Sequence, residues 1–112
     1  MENNKSDIAE VIRKYFEVYM EKDWDTFGEL LSDDFVFSSP KDDYINKEEH
    51  LKSCMFHSSK FKSIGVEKIF DEGSEAFVRY KAEMNGGNSF RNTEFFVMDN
   101  GKIKSIDVYF GR

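Results

Sequence analysis

Glu75-Ala76-Phe77-Val78-Arg79-Tyr80-Lys81-Ala82-Glu83-Met84 changes character residue by residue, and Asn85-Gly86-Gly87-Asn88 follows it. In an extended chain Val78, Tyr80, Ala82 and Met84 share one face and Arg79, Lys81 and Glu83 the other, the pattern of a half-buried strand. The glycine pair reads as a hairpin turn; no helix follows it, so it is no phosphate loop. Working outward, Asp71-Glu72-Gly73-Ser74 turns the chain ahead of this strand. Asn100-Gly101 supplies left-handed turn residues beyond the next one. The spacing predicts strands over 61–70, 75–84, 90–98 and 102–110, with a bulge at Gly65. Hairpin-linked strands of this kind form a mainly antiparallel meander.

Upstream, the periodicity switches. Ile8, Val11, Ile12, Tyr15, Phe16 and Tyr19 recur at helical spacing, with Asp7 and Glu10 as a capping box and Glu17, Glu21 and Lys22 towards water. Asp23 caps a short second helix that buries Trp24, Phe27, Leu30 and Leu31 and stops at Ser32-Asp33-Asp34. Phe35-Val36-Phe37 reads as a brief strand ended by Ser38-Ser39-Pro40, and 41–45 as a polar loop. Asn46 caps a third helix with Glu48 and Glu49 in its first turn, where the helix dipole favours carboxylates. That helix is expected to bury Leu51, Cys54 and Met55 and to end near Ser58. Helices segregated ahead of an antiparallel sheet define an α+β fold.

Totals narrow the function. A chain of 112 residues is read as one domain, 1–112. Twelve Phe and five Tyr against one Pro are rings that must pack in a core or around a pocket. A net charge of −6 without a Lys/Arg stripe argues against nucleic acid and against anionic membranes. No apolar signal core opens the chain and no stretch approaches transmembrane length. Cys54 is alone, so no intrachain disulfide forms, and a cytoplasmic setting is expected. In strand 90–98 Phe96 and Met98 share one face, Phe95 and Val97 the other. Two apolar faces predict helices over one side and a partner subunit over the other, a homodimer through the outer sheet face.

Tyr15-Phe16, Lys22-Asp23-Trp24-Asp25 and Leu30-Leu31-Ser32-Asp33-Asp34-Phe35-Val36-Phe37 stand in order ahead of Glu94-Phe95-Phe96-Val97-Met98-Asp99-Asn100-Gly101-Lys102-Ile103 and Tyr109-Phe110-Gly111. Together they resemble the SnoaL-like branch of the nuclear transport factor 2-like superfamily over almost the whole chain. The resemblance implies a cone, in which a curved antiparallel sheet wraps around a long N-terminal helix accompanied by two shorter ones. Ketosteroid isomerases, polyketide cyclases, epoxide hydrolases, dehydratases and noncatalytic transport factors share that fold, so it does not fix function.

By resemblance Tyr15 takes the isomerases' tyrosine position. Their carboxylate base would stand just before a proline, where this chain has Ser38-Ser39-Pro40. A serine cannot replace a carboxylate base near neutrality, and Asp42 and Asp43 lie in a polar loop. The isomerases' protonated acid would fall near Thr93 or Glu94. The epoxide hydrolases' Arg and Asp, two apart, are replaced by Arg79 and Lys81, and Arg79 points outward. His50, Cys54 and His57 share an arc of the third helix, but a straight helix wraps three turns poorly around one ion, and no metal is assigned. Asp107 lies on the polar face of the last strand.

Glu94 shares a strand face with Phe96 and Met98, where lost solvation would raise its pKa towards catalytic values. The bland alternative is an edge or interface glutamate paired with Lys81 or Arg91. Tyr15 and Tyr19, one turn apart, are either packed rings or a ligand-facing pair. The expectation is an apolar pocket for an apolar or aromatic small molecule, lined by Tyr15, Tyr19, Trp24, Phe37, Met55, Tyr80, Glu94 and Phe96, without a cofactor. If it is catalytic, Glu94 is the base or acid and Tyr15 the hydrogen-bond donor. The rival is a noncatalytic interaction module whose cone is filled by its own side chains.

Overall fold

A stripe of apolar residues three and four apart sets the first helix, α1 (Asn4–Glu21), which buries Ile8, Ile12, Tyr15, Phe16 and Tyr19, with Val18 beside them. The computed structural model describes residues 4–41 and 43–110. Because α1 already begins at Asn4, Asp7 sits inside its first turns; the Asp7 side chain, and with it the predicted capping box, lies outside the described residues. Lys22 takes a left-handed φ of 60° and the Asp23 N–H reaches the Val18 carbonyl at 3.0 Å, which closes the helix as a Schellman-type end. Asp23 then caps α2 (Trp24–Glu29), its carboxylate accepting from the Thr26 N–H at 3.2 Å.

Strand β1 (Leu31–Ser38) starts four residues before the predicted Phe35 and absorbs Ser32-Asp33-Asp34, expected as a stop. The reason is tertiary: β1 runs parallel to the last strand, with Leu31 opposite Ile103 and Phe37 opposite Ile106, and the register shifts between Leu31 and Val36. The expected loop holds a two-residue strand, β2 (Ile45–Asn46), paired with β1. Asn46 caps α3 (Lys47–His57) through a reciprocal box: its Oδ1 accepts from the Glu49 N–H at 2.9 Å, and its own N–H donates to Glu49 Oε1 at 3.1 Å.

A 3₁₀ turn (Ser58–Lys60) leads into β3 (Phe61–Glu72), β4 (Glu75–Met84), β5 (Ser89–Asp99) and β6 (Lys102–Phe110). The sheet order is β2-β1-β6-β5-β4-β3, antiparallel except for the β1–β6 pair. Asn100 and Gly101 have φ of 53° and 78°, both left-handed, as a two-residue hairpin turn requires. Gly65 is not a bulge. It pairs with Lys81, and the irregularities lie on either side of it, between Phe61 and Ser63 and between Val66 and Lys68. These bulges add twist, and the sheet curls around α1 into a cone.

Ile12, Phe27, Phe96 and Ile106 are fully enclosed between the helices and the inner face. On the outer face Phe70, Phe77 and Phe95 form one row across β3, β4 and β5; Phe70 is 67% exposed and Phe77 48%. Among the described residues no helix is long and apolar enough to cross a membrane.

Candidate functional site

Alternation along β4 and β5 turns Tyr80, Asn92 and Glu94 to the inside of the cone, because they share the face of Val78 and Phe96. Glu94 stands between Val78 of β4 and Val108 of β6 and is only 6% exposed. A donor chain fixes one of its oxygens. The Asn92 amide donates to Tyr80 Oη at 3.0 Å, and the Tyr80 hydroxyl donates to Glu94 Oε2 at 2.9 Å. The other oxygen, Oε1, is buried and has no hydrogen-bond partner among the described residues.

Opposite this carboxylate lies a second polar pair. Tyr15 Oη and His50 Nε2 are hydrogen-bonded at 2.9 Å. Tyr15 is held by stacking on Phe27 at 4.7 Å and by the edge of Phe96 at 5.5 Å. His50 stacks on Phe37 at 4.4 Å and meets Cys54 Sγ at 3.5 Å. Between the two pairs is a cavity of about 140 Å³. Buried Tyr15, Phe16 and Tyr19 of α1 wall it, and half-buried Phe37, Cys54, Phe61 and Ile64 form its rim. A wider depression of about 440 Å³ beside Val11, Met98 and Gly101 has Asp99 as its one ionisable lining residue among those described. The polar chemistry converges in the inner cavity.

Burial governs every titration there. Desolvation raises the Glu94 pKa to about 7 against the opposing hydrogen bond from Tyr80. His50 is pushed down to about 3 by burial and stays neutral. Tyr15, Tyr19, Tyr80 and Cys54 are all raised, first by burial and further by the Glu94 charge, so they stay protonated. Near neutral pH Glu94 alone among these groups changes charge.

Of the residues that the sequence assigns to a pocket, Tyr15, Tyr19, Phe37, Tyr80 and Glu94 border this cavity. Phe96 is fully buried behind Tyr15, and half-buried Trp24 packs edge-on against Tyr19 at 5.8 Å; neither borders the cavity. Met55 is misplaced in the sequence reading: it is 48% exposed. His50 and Cys54, four residues apart, occupy the inner side of α3, and a residue one position past Cys54 is turned away by about 100°. His50 itself escaped the sequence reading as a lining residue. The apolar periodicity of α3 is weak: the expected face of Leu51, Cys54 and Met55 is off by part of a turn, and the His50–Cys54 spacing marks the inner side.

His50, Cys54 and His57, to which no metal was assigned, do not converge, since exposed His57 turns its Nδ1 to Lys60 Nζ at 3.2 Å. Among the described residues no cluster of His, Cys, Asp or Glu is placed to hold a metal ion. Arg79 and Arg91 both bind Glu67 on the outer surface, at 3.2 and 2.9 Å, and neither reaches Glu94. Asp43 is exposed, and Asp42 lies outside the described residues. Asp107 sits on the outer face opposite Phe95.

The sequence profile of the SnoaL-like domain family matches residues 12–106. A comparison with curated proteins gave no match. Among solved structures, a de novo designed protein with a curved β-sheet is 19% identical, with a TM-score of 0.85 over 95% of this chain and 86% of that one. A nuclear transport factor 2-like protein of unknown function from Cytophaga hutchinsonii is 21% identical, with a TM-score of 0.79 over 92% and 88%. An LEH-like epoxide hydrolase from M. tuberculosis is 15% identical, with a TM-score of 0.82 over 96% and 85%. At these identities the likeness is one of fold.

Proposed function

The chain belongs to the SnoaL-like domain family, and from that premise we propose that its inner cavity binds a small, largely aromatic or apolar molecule through one polar group held by Glu94. The observation that carries this reading is Glu94 Oε1, a buried carboxylate oxygen without a partner among the described residues, in a cavity walled by rings. Burying such an oxygen unpaired costs on the order of 1–3 kcal/mol, a cost a ligand's donor would offset. The size is restrictive. At about 140 Å³ the cavity suits a benzene-sized molecule, not a sterol.

A pKa of about 7 also equips Glu94 to give or take a proton near neutrality, with Tyr15 as a neutral hydrogen-bond donor. Proton transfer is therefore the chemistry proposed if the bound molecule is turned over. A thermal-shift screen of benzene-sized compounds tests the binding. A ligand at a hundred times its Kd adds about 2.7 kcal/mol, a rise of roughly 10 °C for a domain of this size. Binding weakened by Glu94→Gln or Tyr15→Phe supports the reading; no shift across the panel leaves a self-filled cone.

The exposed phenylalanine row favours a second, compatible reading, a homodimer through the outer sheet face. Along the strands, the basic Lys68 and Arg79 lie on one side of Phe70 and Phe77, and Glu72 and Glu75 lie on the other. A two-fold axis through the row would bury the rings and set the basic end of one protomer against the acidic end of its partner. Half-buried, lone Cys54 accords with the cytoplasmic setting proposed for the chain.

A further inference from the structure

Resting on the reading of the cavity as a ligand site, we propose that the polar group it takes is cationic, and that the ligand is a small organic amine bound as its ammonium ion. Three features converge. First, the hydrogen bonds leave one oxygen of Glu94 open: Asn92 donates to Tyr80 and Tyr80 donates to Glu94 Oε2, so Oε1 of the ionised carboxylate is left for a donor from the ligand. Second, aromatic rings make up most of the wall. Tyr15, Phe16, Tyr19, Phe37, Phe61 and Tyr80 border one small space, an arrangement that attracts a cation through the ring quadrupoles and most strongly where water is excluded. Third, among the described residues no Lys or Arg lines the cavity, so an anion would meet Glu94 with none of them to compensate it.

The groups facing Glu94 from each packed element are Tyr15 and Tyr19 of α1, His50 and Cys54 of α3, and Tyr80 of β4. Burial keeps all five neutral across the physiological range. Among the described residues a bound cation is therefore answered by Glu94 alone, and its binding displaces the Glu94 proton at pH values below about 7. A neutral carbonyl or alcohol that accepts from Glu94 needs the opposite form, the protonated acid. The pH dependence of binding thus has opposite signs for the two chemistries.

The test uses benzylamine, which stays protonated from pH 6 to 8, and its neutral isostere benzyl alcohol, titrated calorimetrically into the full chain. Benzylamine is expected to bind about tenfold tighter at pH 8 than at pH 6, as Glu94 ionises through about 7. Benzyl alcohol should bind no tighter at pH 8, and Glu94→Gln should weaken benzylamine at least tenfold. If benzyl alcohol binds and benzylamine does not, the amine is overturned and the cavity still stands as a ligand site. If neither binds, the ligand site itself falls. Benzylamine that binds equally at both pH values, or equally to Glu94→Gln, also overturns the proposal. The pH comparison on the unmodified chain decides the matter should Glu94→Gln fail to fold.

Discussion

Glu94 and Phe95 are neighbours in β5 and occupy opposite environments, each the reverse of its usual one. The carboxylate is 6% exposed among aromatic rings, while Phe95 faces outward beside Phe77, their rings 4.8 Å apart. Glu67 sharpens the contrast, for it lies on the outer surface between Arg79 and Arg91, which hold its carboxyl below the usual range. An inward carboxylate and an outward ring are both costly in an isolated monomer. In the functional reading proposed above, a bound ligand offsets the inner cost and a partner subunit the outer one.

The largest test of this contrast is aromatic truncation on the inner face. Phe96→Ala should cost about 3–5 kcal/mol of unfolding free energy, read by urea denaturation, because a fully buried ring is lost between Tyr15 and Phe16. A loss below about 1 kcal/mol would mean that the inner face is not packed as described.

Next comes the pH dependence of stability. The folded-state pKa of Glu94, about 7, lies above its unfolded value, so the native state holds the proton more tightly. Stability is then fullest below the unfolded pKa and falls as pH rises towards 7. Between pH 5 and 8 the loss should be roughly 2–3 kcal/mol, flattening above about 7.5, and Glu94→Gln should remove most of it. A wild-type chain equally stable at both pH values would place Glu94 in solvent.

Tyr15→Phe should cost about 1–2 kcal/mol, since it leaves the buried His50 Nε2 without its 2.9 Å partner. Restoration of stability in a second variant that also replaces His50 by Phe would show that the loss belongs to the pair. The smallest effect is expected outside. Phe77→Ala should change the stability of the monomer by about 0.5 kcal/mol or less. Phe77→Asp should abolish concentration-dependent sedimentation; a chain that sediments as a monomer before any substitution removes the dimer.

Local pattern carried the meander well. β4 and β6 begin and end where alternation and turn residues put them, and the Asn100–Gly101 turn adopts the predicted left-handed backbone. The cap at Asn46 was equally readable, since a capping box is a property of four consecutive residues. β1 was not, because its first residues are strand only through parallel pairing with β6, some seventy residues away. For the site, alternation on β5 turned Glu94 inward with Phe96, and helical spacing on α1 brought Tyr15 and Tyr19 together. His50 was overlooked and Met55 taken in its place, because α3 has no apolar stripe to define its phase.

By itself, then, the sequence determined the order of elements, the two periodicities and the face on which each strand residue falls, since these depend on spacing along the chain. Only the tertiary structure decided which faces meet: that His50 bonds to Tyr15, that Tyr80 donates to one oxygen of Glu94, and that the other is buried beside a space of about 140 Å³. Those are distances between residues 14 to 35 positions apart, set by how the sheet curls around α1. A pKa follows the solvent and charges around a group, so the shift that the strand face suggested for Glu94 takes its size from that enclosure.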